Sequence, residues 1–332
     1  MNIFIRAYGS HLMGMGHLYR VKKIVNRLKE TKNCSITLFT RNYSEAINIY
    51  KNIDLDEIIE INSDLSKNEE LSLLENSLKE SIFELVINDQ LDTDKDIATI
   101  LTSYSKKSIT FDDKGKGNNM FNHIVNVLYP TNQNLKNEIN SYEYMILDDY
   151  SAIKENMIFK NEVKTIFINQ GAADTWGAIP DMIADLNKID FEFKIKVLLG
   201  PSFQHFNELA QVLKRNKKRI EIYNFVDNVL ELVKDCDLAI LGAGNTLFEV
   251  ASLGIPVIAS TREEKELTTI KRLLADDIVF AENKIYTDGL EKITAEVMNQ
   301  ESSRKKKFEK NRKIFNYDGL CKIIKLLDGD EK

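Results

Sequence analysis

Proline is scarce in this sequence, with four in 332 residues, and glycine is held to 14. Neither count leaves room for a long linker, and no low-complexity segment occurs. Cysteine is scarcer still: Cys34, Cys236 and Cys321 are odd in number and far apart, with no C-x-x-C pair and no histidine at ligand spacing. That excludes a disulfide framework and a zinc site, and each thiol reads as a small buried hydrophobe beside a strand or helix. A surplus of positive charge is also missing. The net charge of -6 opposes a general nucleic-acid binder, because phosphate neutralisation needs excess Lys and Arg. No apolar run approaches the roughly 20 residues that span a bilayer, and the opening MNIFIRAYG lacks the apolar core and cleavage site of a secretory signal. The expectation is a cytoplasmic protein without membrane insertion, holding any anionic ligand by local devices.

What is present is a regular alternation. Short runs rich in Ile, Val and Phe recur, separated by helical patterns of ten or more residues, which is the pattern of βαβ units and a parallel sheet. In the first half the expected strands are Asn2 to Ala7, Ser35 to Thr40, Glu57 to Ile61, Glu84 to Asn88, Ser108 to Phe111 and His123 to Leu128. Leu18, Val21, Ile24, Val25 and Leu28 form one apolar helix stripe after the first of them. The second half repeats the order with strands at Lys164 to Asn169, Phe193 to Leu199, Arg219 to Tyr223, Leu238 to Leu241 and Pro256 to Ala259. The length suits two domains. The polar stretch Lys154 to Glu162 separates the two series, so the expected domains are 1–156 and 157–332. From Thr287 onward the pattern is helical, and the seven basic residues between Arg304 and Lys313 read as a solvated helix face.

Open parallel sheets with helices on both faces bind ligands at the carboxyl ends of their strands, which expects the active site between the domains. The segment Gly9 to His17, GSHLMGMGH, follows the first strand and opens the first helix, and Gly14 and Gly16 let backbone N-H groups approach an anion such as phosphate. A nicotinamide fingerprint fails here, because the third glycine would fall on Tyr19 and Arg41, not an acid, stands near the end of the second strand. A P-loop fails for want of G-K-S/T. His17, at the helix entrance, suits a general base, although a capping or packing histidine would occupy the same place. His11 and His123 are weaker candidates, and His205 is expected to start a surface helix.

A second glycine turn, Leu241 to Glu249, reads LGAGNTLFE and is followed by Gly254-Ile-Pro256, which ends the helix. Gly242, Gly244, Asn245 and Thr246 lie in this turn from strand to helix, where glycine again lets the backbone come close to a ligand. Glu249 can accept both hydroxyls of a ribose; equally, Thr246-x-x-Glu249 is a capping box in which the Glu serves only its own helix. Gln170-Gly171-Ala-Ala-Asp174, after the first strand of the second half, suits a third backbone cradle, with Asp174 an N-cap on the plainer reading. Asp112-Asp113 and Asp148-Asp149 are paired acids that turn chemistry alone would explain.

Taken in order, G-x-G-H with Arg20, F-E-L-V-I-N-D, F-D-D-K, Q-G-A-A-D, G-A-G-N-T-L-F-E and G-I-P resemble the pseudaminic-acid-pathway hydrolases of nucleotide-linked diacetamido-trideoxy sugars. The similarity extends to the spore-coat polysaccharide proteins and, more distantly, to the N-acetylglucosaminyltransferase that forms lipid II, and it covers residues 1 to 275. The resemblance implies a GT-B fold, two Rossmann-like parallel-sheet domains facing across a cleft, with the sugar or acceptor side on the first and the nucleotide on the second. It implies that His17 activates water, that Gly14, Gly16, Arg20 and Asp89 lie on the substrate side, and that Gln170, Gly171 and Asp174 face the diphosphate. It further implies that Phe225 and Val226 read uracil and that Gly242 to Glu249 hold phosphate and ribose. Two departures stand out: the family's Asp-His-Tyr is Asp89-Gln90-Leu91 here, and its Asn-Gln after the strand beyond Pro256 is replaced by Thr261-Arg-Glu-Glu-Lys265.

The resulting expectation is hydrolysis of a nucleotide-activated, UDP-linked amino or deoxy sugar in surface-polysaccharide or nonulosonic-acid synthesis, with no cofactor, no metal and no nucleic-acid partner. Transfer of the sugar to an acceptor hydroxyl is the alternative. A non-catalytic nucleotide-sugar binder is the third reading.

Overall fold

The computed structural model describes residues 1–10, 16–44, 46–129, 135–224, 226, 228–282 and 284–328, with the backbone alone at Lys265. The chain forms two compact units, one of Met1 to Ile146 together with the chain from Asp318 onward, the other of Leu147 to Tyr317.

In the first unit, β1 (Asn2–Ala7), β2 (Ser35–Arg41), β3 (Glu57–Ile61), β4 (Leu85–Asp89), β5 (Ser108–Phe111), β6 (His123–Val125) and β7 (Glu138–Ile139) form one sheet in the order β3-β2-β1-β4-β5-β6-β7. Every pairing is parallel. The helices of this stretch are α1 (Gly16–Thr31), α2 (Ile47–Tyr50), α3 (Lys67–Leu78) and α4 (Lys95–Ser103). The α1 stripe Leu18, Val21, Ile24, Val25 and Leu28 is fully buried, as its 3.6-residue spacing requires. On the opposite sheet face Phe4, Phe39, Leu74, Leu78, Val86 and Leu101 pack in one cluster, each such side chain contributing about 1.5–3 kcal/mol by leaving water. The α3 helix starts at a capping box, in which Ser66 accepts from the Glu69 amide and the Glu69 carboxylate accepts from the Ser66 amide.

The second unit contains α5 (Ser151–Glu155), β8 (Thr165–Asn169), α6 (Ala178–Leu186), β9 (Lys194–Leu198), α7 (Phe206–Arg215), β10 (Arg219–Tyr223), α8 (Val229–Val233) and β11 (Leu238–Leu241). It continues through α9 (Asn245–Ser252), β12 (Val257–Ala259), α10 (Glu264–Ala275), β13 (Phe280–Ala281), α11 (Leu290–Asn299) and α12 (Glu301–Ile314). Its sheet is also parallel, in the order β10-β9-β8-β11-β12-β13. Both sheets reverse direction of growth beside their first strand, between β1 and β4 and between β8 and β11. Such a switch point opens a crevice at the strand carboxyl ends.

Several expectations shift. The units part at Ile146/Leu147, before the expected boundary after residue 156. The polar stretch there is no linker, because Lys154 Nζ donates to the Phe315 carbonyl at 2.7 Å and Tyr150 stacks edge-on against Tyr317 at 6.3 Å, which tie α5 into the second unit. The last helix, α13 (Gly319–Asp328), returns to the first unit, where Ile323, Ile324, Leu326 and Leu327 are buried and Lys107 Nζ donates to the Leu327 carbonyl at 2.8 Å. The basic helix α12 is not simply solvated. Arg304 is 1% exposed, its guanidinium donating to the Val297 and Lys160 carbonyls at 3.1 and 3.2 Å, and buried Lys307 is paired with Asp277. Cys236 is buried as expected, whereas Cys34 and Cys321 are part-exposed. The two-residue strands β7 and β13 are too short to show any period in the sequence. Among the described residues no helix is long and apolar enough to cross a membrane.

Candidate active site

His17 is the second residue of α1, the helix that follows β1 at the switch point of the first sheet. Ala7 at the end of β1 is in register with Asp89 at the end of β4, which brings Asp89 beside the start of α1. The His17 Nδ1 lies 2.6 Å from Asp89 Oδ1. A carboxylate on Nδ1 favours the tautomer with the proton there and leaves Nε2 as the nitrogen able to accept one. Arg20, one turn further along α1, donates to the same carboxylate, Nε to Oδ2 at 2.7 Å and an Nη to Oδ1 at 2.6 Å. Its other Nη pairs with Asp112, and its guanidinium lies over the Phe111 ring at 5.2 Å.

Asp89 is fully buried. Burial pushes its pKa up, but Arg20 and His17 together outweigh burial and hold it below the usual carboxylate range. Burial likewise works to lower the pKa of Arg20, and Asp89 and Asp112 more than reverse it. Asp112 adopts φ of 47°, a left-handed backbone that Asp tolerates better than most residues, and its Oδ1 accepts from the Leu128 amide at 2.8 Å. Asp112-Asp113 is therefore more than a turn. Asp113, on the other sheet face, accepts from the amides of Thr93 and Gly115 at 3.0 and 2.8 Å and from the Thr110 hydroxyl at 2.8 Å.

That other face carries a polar cluster which sequence reasoning missed. Arg6 on β1 donates to Glu70 Oε1 at 2.6 Å and to Asn88 Oδ1 at 3.0 Å, Tyr8 donates to Glu70 Oε1 at 2.5 Å, and Arg41 donates to Glu70 Oε2 at 2.5 Å. An arginine inside an otherwise apolar strand was the available signal, since a buried charge demands a partner.

Gly16 and His17 are both part-buried. Gly14 and His11 lie outside the described residues. Gln90, where the hydrolases that the sequence resembles carry His, is buried and donates to the Asp89 carbonyl at 2.7 Å, bracing the strand end rather than offering a ring.

In the second unit both glycine turns stand at the switch point, after β8 and after β11. Asn169 links them with β9: its Nδ2 donates to the Leu198 carbonyl at 2.9 Å, its Oδ1 accepts from the Gly171 amide at 3.1 Å, and its carbonyl accepts from the Gly242 amide at 3.3 Å. Gly171 has φ of 72°, where a side chain would be strained. Asp174, three residues before the N-cap Gly177, accepts from the amides of Ala178 and Ile179 at 2.7 and 3.0 Å, the first two residues of α6. Both of its oxygens are thus engaged by the protein, and the plain N-cap reading does not hold, because the N-cap residue of α6 is Gly177.

Gln170, Asp174 and Gly242 share a small, open recess with Trp176, Arg262 and Glu266. Glu266 Oε2 accepts from the Ala243 amide at 2.9 Å, so one N-H of the glycine turn already faces a carboxylate of α10. Arg262 is held by the Trp176 carbonyl at 2.8 Å and Asp181 at 2.5 Å. Sequence reasoning noted the altered segment 261–265 but not that Arg262 and Glu266 would line this recess.

Gly244, Asn245, Thr246 and Glu249 follow along α9 outside the recess. The N-cap of α9 is Gly244, without a side-chain cap. Thr246 is therefore inside the helix, Leu247 occupies the third position, and no Thr246–Glu249 capping box exists. Gly244 and Asn245 are exposed. A helix start at a switch point with no capping side chain suits an anion. Part-buried Glu249 acts on Tyr150, whose phenol pKa is raised by burial first and then by Asp148 and Glu249. Because Glu249 closes no box, Glu249→Gln is expected to shift the melting temperature by less than about 2 °C. A drop of 5 °C or more in a thermal melt would show a structural role instead. Val226 is part-buried in the segment after β10, and Phe225 lies outside the described residues.

Fold and site define a protein class: a glycosyltransferase-like protein of GT-B fold, two doubly wound parallel-sheet units each bearing a strand-to-helix turn at its switch point. Residues 165–320 match the glycosyltransferase family 28 C-terminal domain. An uncharacterized protein of Methanocaldococcus jannaschii is 32% identical over 285 residues, 80% of this chain and 56% of that protein. The chain thus spans about half the length of that relative. The spore coat polysaccharide biosynthesis protein SpsG of Bacillus subtilis is 24% identical over 82% of this chain and 80% of its own. Among solved structures, Acinetobacter baumannii MurG superposes with a TM-score of 0.74 at 12% identity, over 99% of this chain and 100% of that one. A UDP-GlcNAc 2-epimerase from Neisseria meningitidis, bound to UDP-GlcNAc, superposes at 0.62 and 12% identity over 100% of both chains.

Proposed function

We propose that the protein hydrolyses a nucleotide-linked sugar. His17 Nε2 takes a proton from water, the water oxygen bonds to the anomeric carbon, and the bond to the diphosphate oxygen breaks with its electron pair on the leaving nucleoside diphosphate. The observation that carries this reading is the 2.6 Å contact between His17 Nδ1 and buried Asp89 at the first switch point. It orients an imidazole at the end of the sheet where ligands of this fold class bind. The uncapped start of α9 and the glycine turn before it supply N-H groups for the diphosphate, which lowers the barrier by stabilising charge on the leaving oxygen. Glu249 accepts the ribose hydroxyls, Val226 with Phe225 reads the base, and the base is uracil. The relatives agree with this class: the Neisseria meningitidis structure holds UDP-GlcNAc, and the Bacillus subtilis relative serves spore coat polysaccharide biosynthesis.

Transfer to an acceptor hydroxyl is the second reading, favoured by the glycosyltransferase family 28 match and by Asp89-Gln90-Leu91, which changes the substrate side. Incubation with UDP-linked amino and deoxy sugars, with and without an acceptor, separates the readings. Free sugar and UDP without acceptor support hydrolysis; product only with acceptor supports transfer; binding with no turnover in either arm overturns both in favour of a binding protein.

The nucleotide assignment has its own measurement. At a hundred times its dissociation constant a ligand adds about 2.7 kcal/mol to the folded state. UDP is expected to raise the melting temperature by several degrees more than ADP or GDP does, and Glu249→Gln to weaken UDP binding about tenfold by calorimetric titration. Equal shifts with all three nucleotides would remove the uracil assignment, and unchanged affinity in the variant would remove the ribose one.

A further inference from the structure

The resemblance placed Arg20 on the substrate side, yet its donors are directed elsewhere. Nε and one Nη grip both oxygens of Asp89, and the other Nη pairs with Asp112. The guanidinium plane is backed by the Phe111 ring, and its side chain is 14% exposed. A bidentate grip on a carboxylate is a rigid, planar arrangement that Arg makes and Lys cannot reproduce. Among the described residues, the charged groups paired around His17 are Asp89 from β4, Asp112 from the end of β5 and Arg20 from α1 itself.

The charges of this cluster decide what it does. With His17 neutral, two carboxylates and one guanidinium carry a net charge of minus one; when His17 takes a proton the cluster becomes neutral. Removing Arg20 would leave the imidazole beside two buried carboxylates, which favour the imidazolium and spoil a base at neutral pH. Removing the charge of Asp112 acts the other way. A carboxylate shared by an imidazole and a guanidinium is also fixed at both oxygens, so Asp89 cannot rotate away from His17.

We propose that Arg20 is a positioning residue, anchored by Asp112, that locks Asp89 against His17 and offsets the charge the imidazole feels, and that it is not a ligand of the sugar or the nucleotide. The proposal rests on the reading of His17 as the base, and its test is chosen to stand apart from that reading.

The test follows the His17 imidazole by NMR, without any substrate. The sequence holds only four histidines, and His17→Gln identifies the resonance. In the parent protein the nitrogen shifts are expected to show the tautomer protonated at Nδ1. In Arg20→Met the titration midpoint is expected to rise by about one pH unit, and in Asp112→Asn to fall by a similar amount, the effect of one charge at short range. Arg20→Lys should keep most of the midpoint and lose the single tautomer. UDP affinity, measured by calorimetry on the same variants, should stay within twofold. Midpoints unmoved in both Arg20→Met and Asp112→Asn, or moved in the same direction, overturn the proposal, as does UDP affinity lost in Arg20→Met with His17 titrating as before. Should Arg20→Met fail to fold, Asp112→Asn and Arg20→Lys decide. If the midpoints move as expected while His17→Ala retains turnover, the charge lock stands and the base assignment falls.

Discussion

Replacing His17 with Ala is expected to lower turnover by a hundredfold or more, about 2.7 kcal/mol of transition-state stabilisation, and to leave UDP affinity within a few fold. The reason is geometric: the imidazole is held at Nδ1 by Asp89, leaving Nε2 to take the proton. Asp89→Asn separates orientation from basicity. An amide can keep a hydrogen bond to the ring but can present its NH2 to Nδ1, which reverses the tautomer. Turnover in Asp89→Asn should accordingly fall by at least tenfold with the fold intact. Steady-state rates with the substrate identified in the incubation assay check both variants. Near-parental turnover in His17→Ala would remove the base assignment, and loss of UDP binding in that variant would make His17 a structural residue at the helix entrance.

The second large effect is on stability. Glu70→Ala is expected to destabilise the first unit by about 3–5 kcal/mol, because breaking a buried ion pair strands its partner charges. Here two are stranded: Arg6 and Arg41 both lie over the Tyr8 ring, their guanidinium carbons 4.7 and 5.6 Å from its centre, with Glu70 as the shared counter-charge. Burial works to raise the Glu70 pKa, but Arg6, Arg41 and Tyr8 prevail and bring it from the ordinary 4.5 to about 2. The folded carboxyl therefore binds its proton less readily than the unfolded one, so its stabilisation is complete above about pH 4.5 and is lost as pH falls toward about 2. Urea titrations at pH 7 and across this acid range check both statements. The parent should lose stability steeply below pH 4.5, and Glu70→Gln should show a flatter acid limb from a lower plateau. A loss under 1 kcal/mol in Glu70→Ala, or parallel acid limbs, would mean that water replaces the carboxylate at little cost.

Glu70 is also linked to the site through Arg6 and Asn88. Arg6 is the penultimate residue of β1, and its contact with Asn88 lies one residue before Asp89. A change at Glu70 therefore reaches the strand ends that set the site, and turnover of Glu70→Ala should be compared only at temperatures where it remains folded.

Local chemistry was legible without coordinates wherever it is periodic or conformational. Ile, Val and Phe runs of strand length made the parallel strands readable, because inner strands such as β1, β4, β8 and β11 are buried on both faces, while the edge strands β3 and β10 are less so. The α1 stripe at 3.6-residue spacing and the glycine turns after β8 and β11 were equally readable, because spacing and glycine placement act within a few residues. His17 could be singled out as the residue entering α1, and His205 indeed stands at the start of α7. What could not be read is pairing across distance. Asp89 meets His17 over 72 residues, Arg20 meets Asp112 over 92, and Glu70 meets Arg6 over 64. Nothing local in the chain encodes those meetings, which the sheet order makes by bringing β1, β4 and β5 side by side.

The same limit explains the reversals. Thr246-x-x-Glu249 satisfies the letter of a capping box, but the turn of β11 into α9 starts the helix two residues earlier, at Gly244, and so moves Glu249 past the box position. Seven basic residues in α12 look like a solvated face until Asp277 and the carbonyls of Val297 and Lys160 draw Lys307 and Arg304 inward. Lys154 looks like linker until Phe315 supplies an acceptor from the far end of the unit. Hydrophobic period and turn chemistry are properties of neighbouring residues, so the sequence alone determined the longer strands, the α1 stripe and the glycine turns after β8 and β11. Which charges are buried, which are paired and which nitrogen of His17 is left to act depend on partners 60 to 100 residues away, and those only the packed sheets decided.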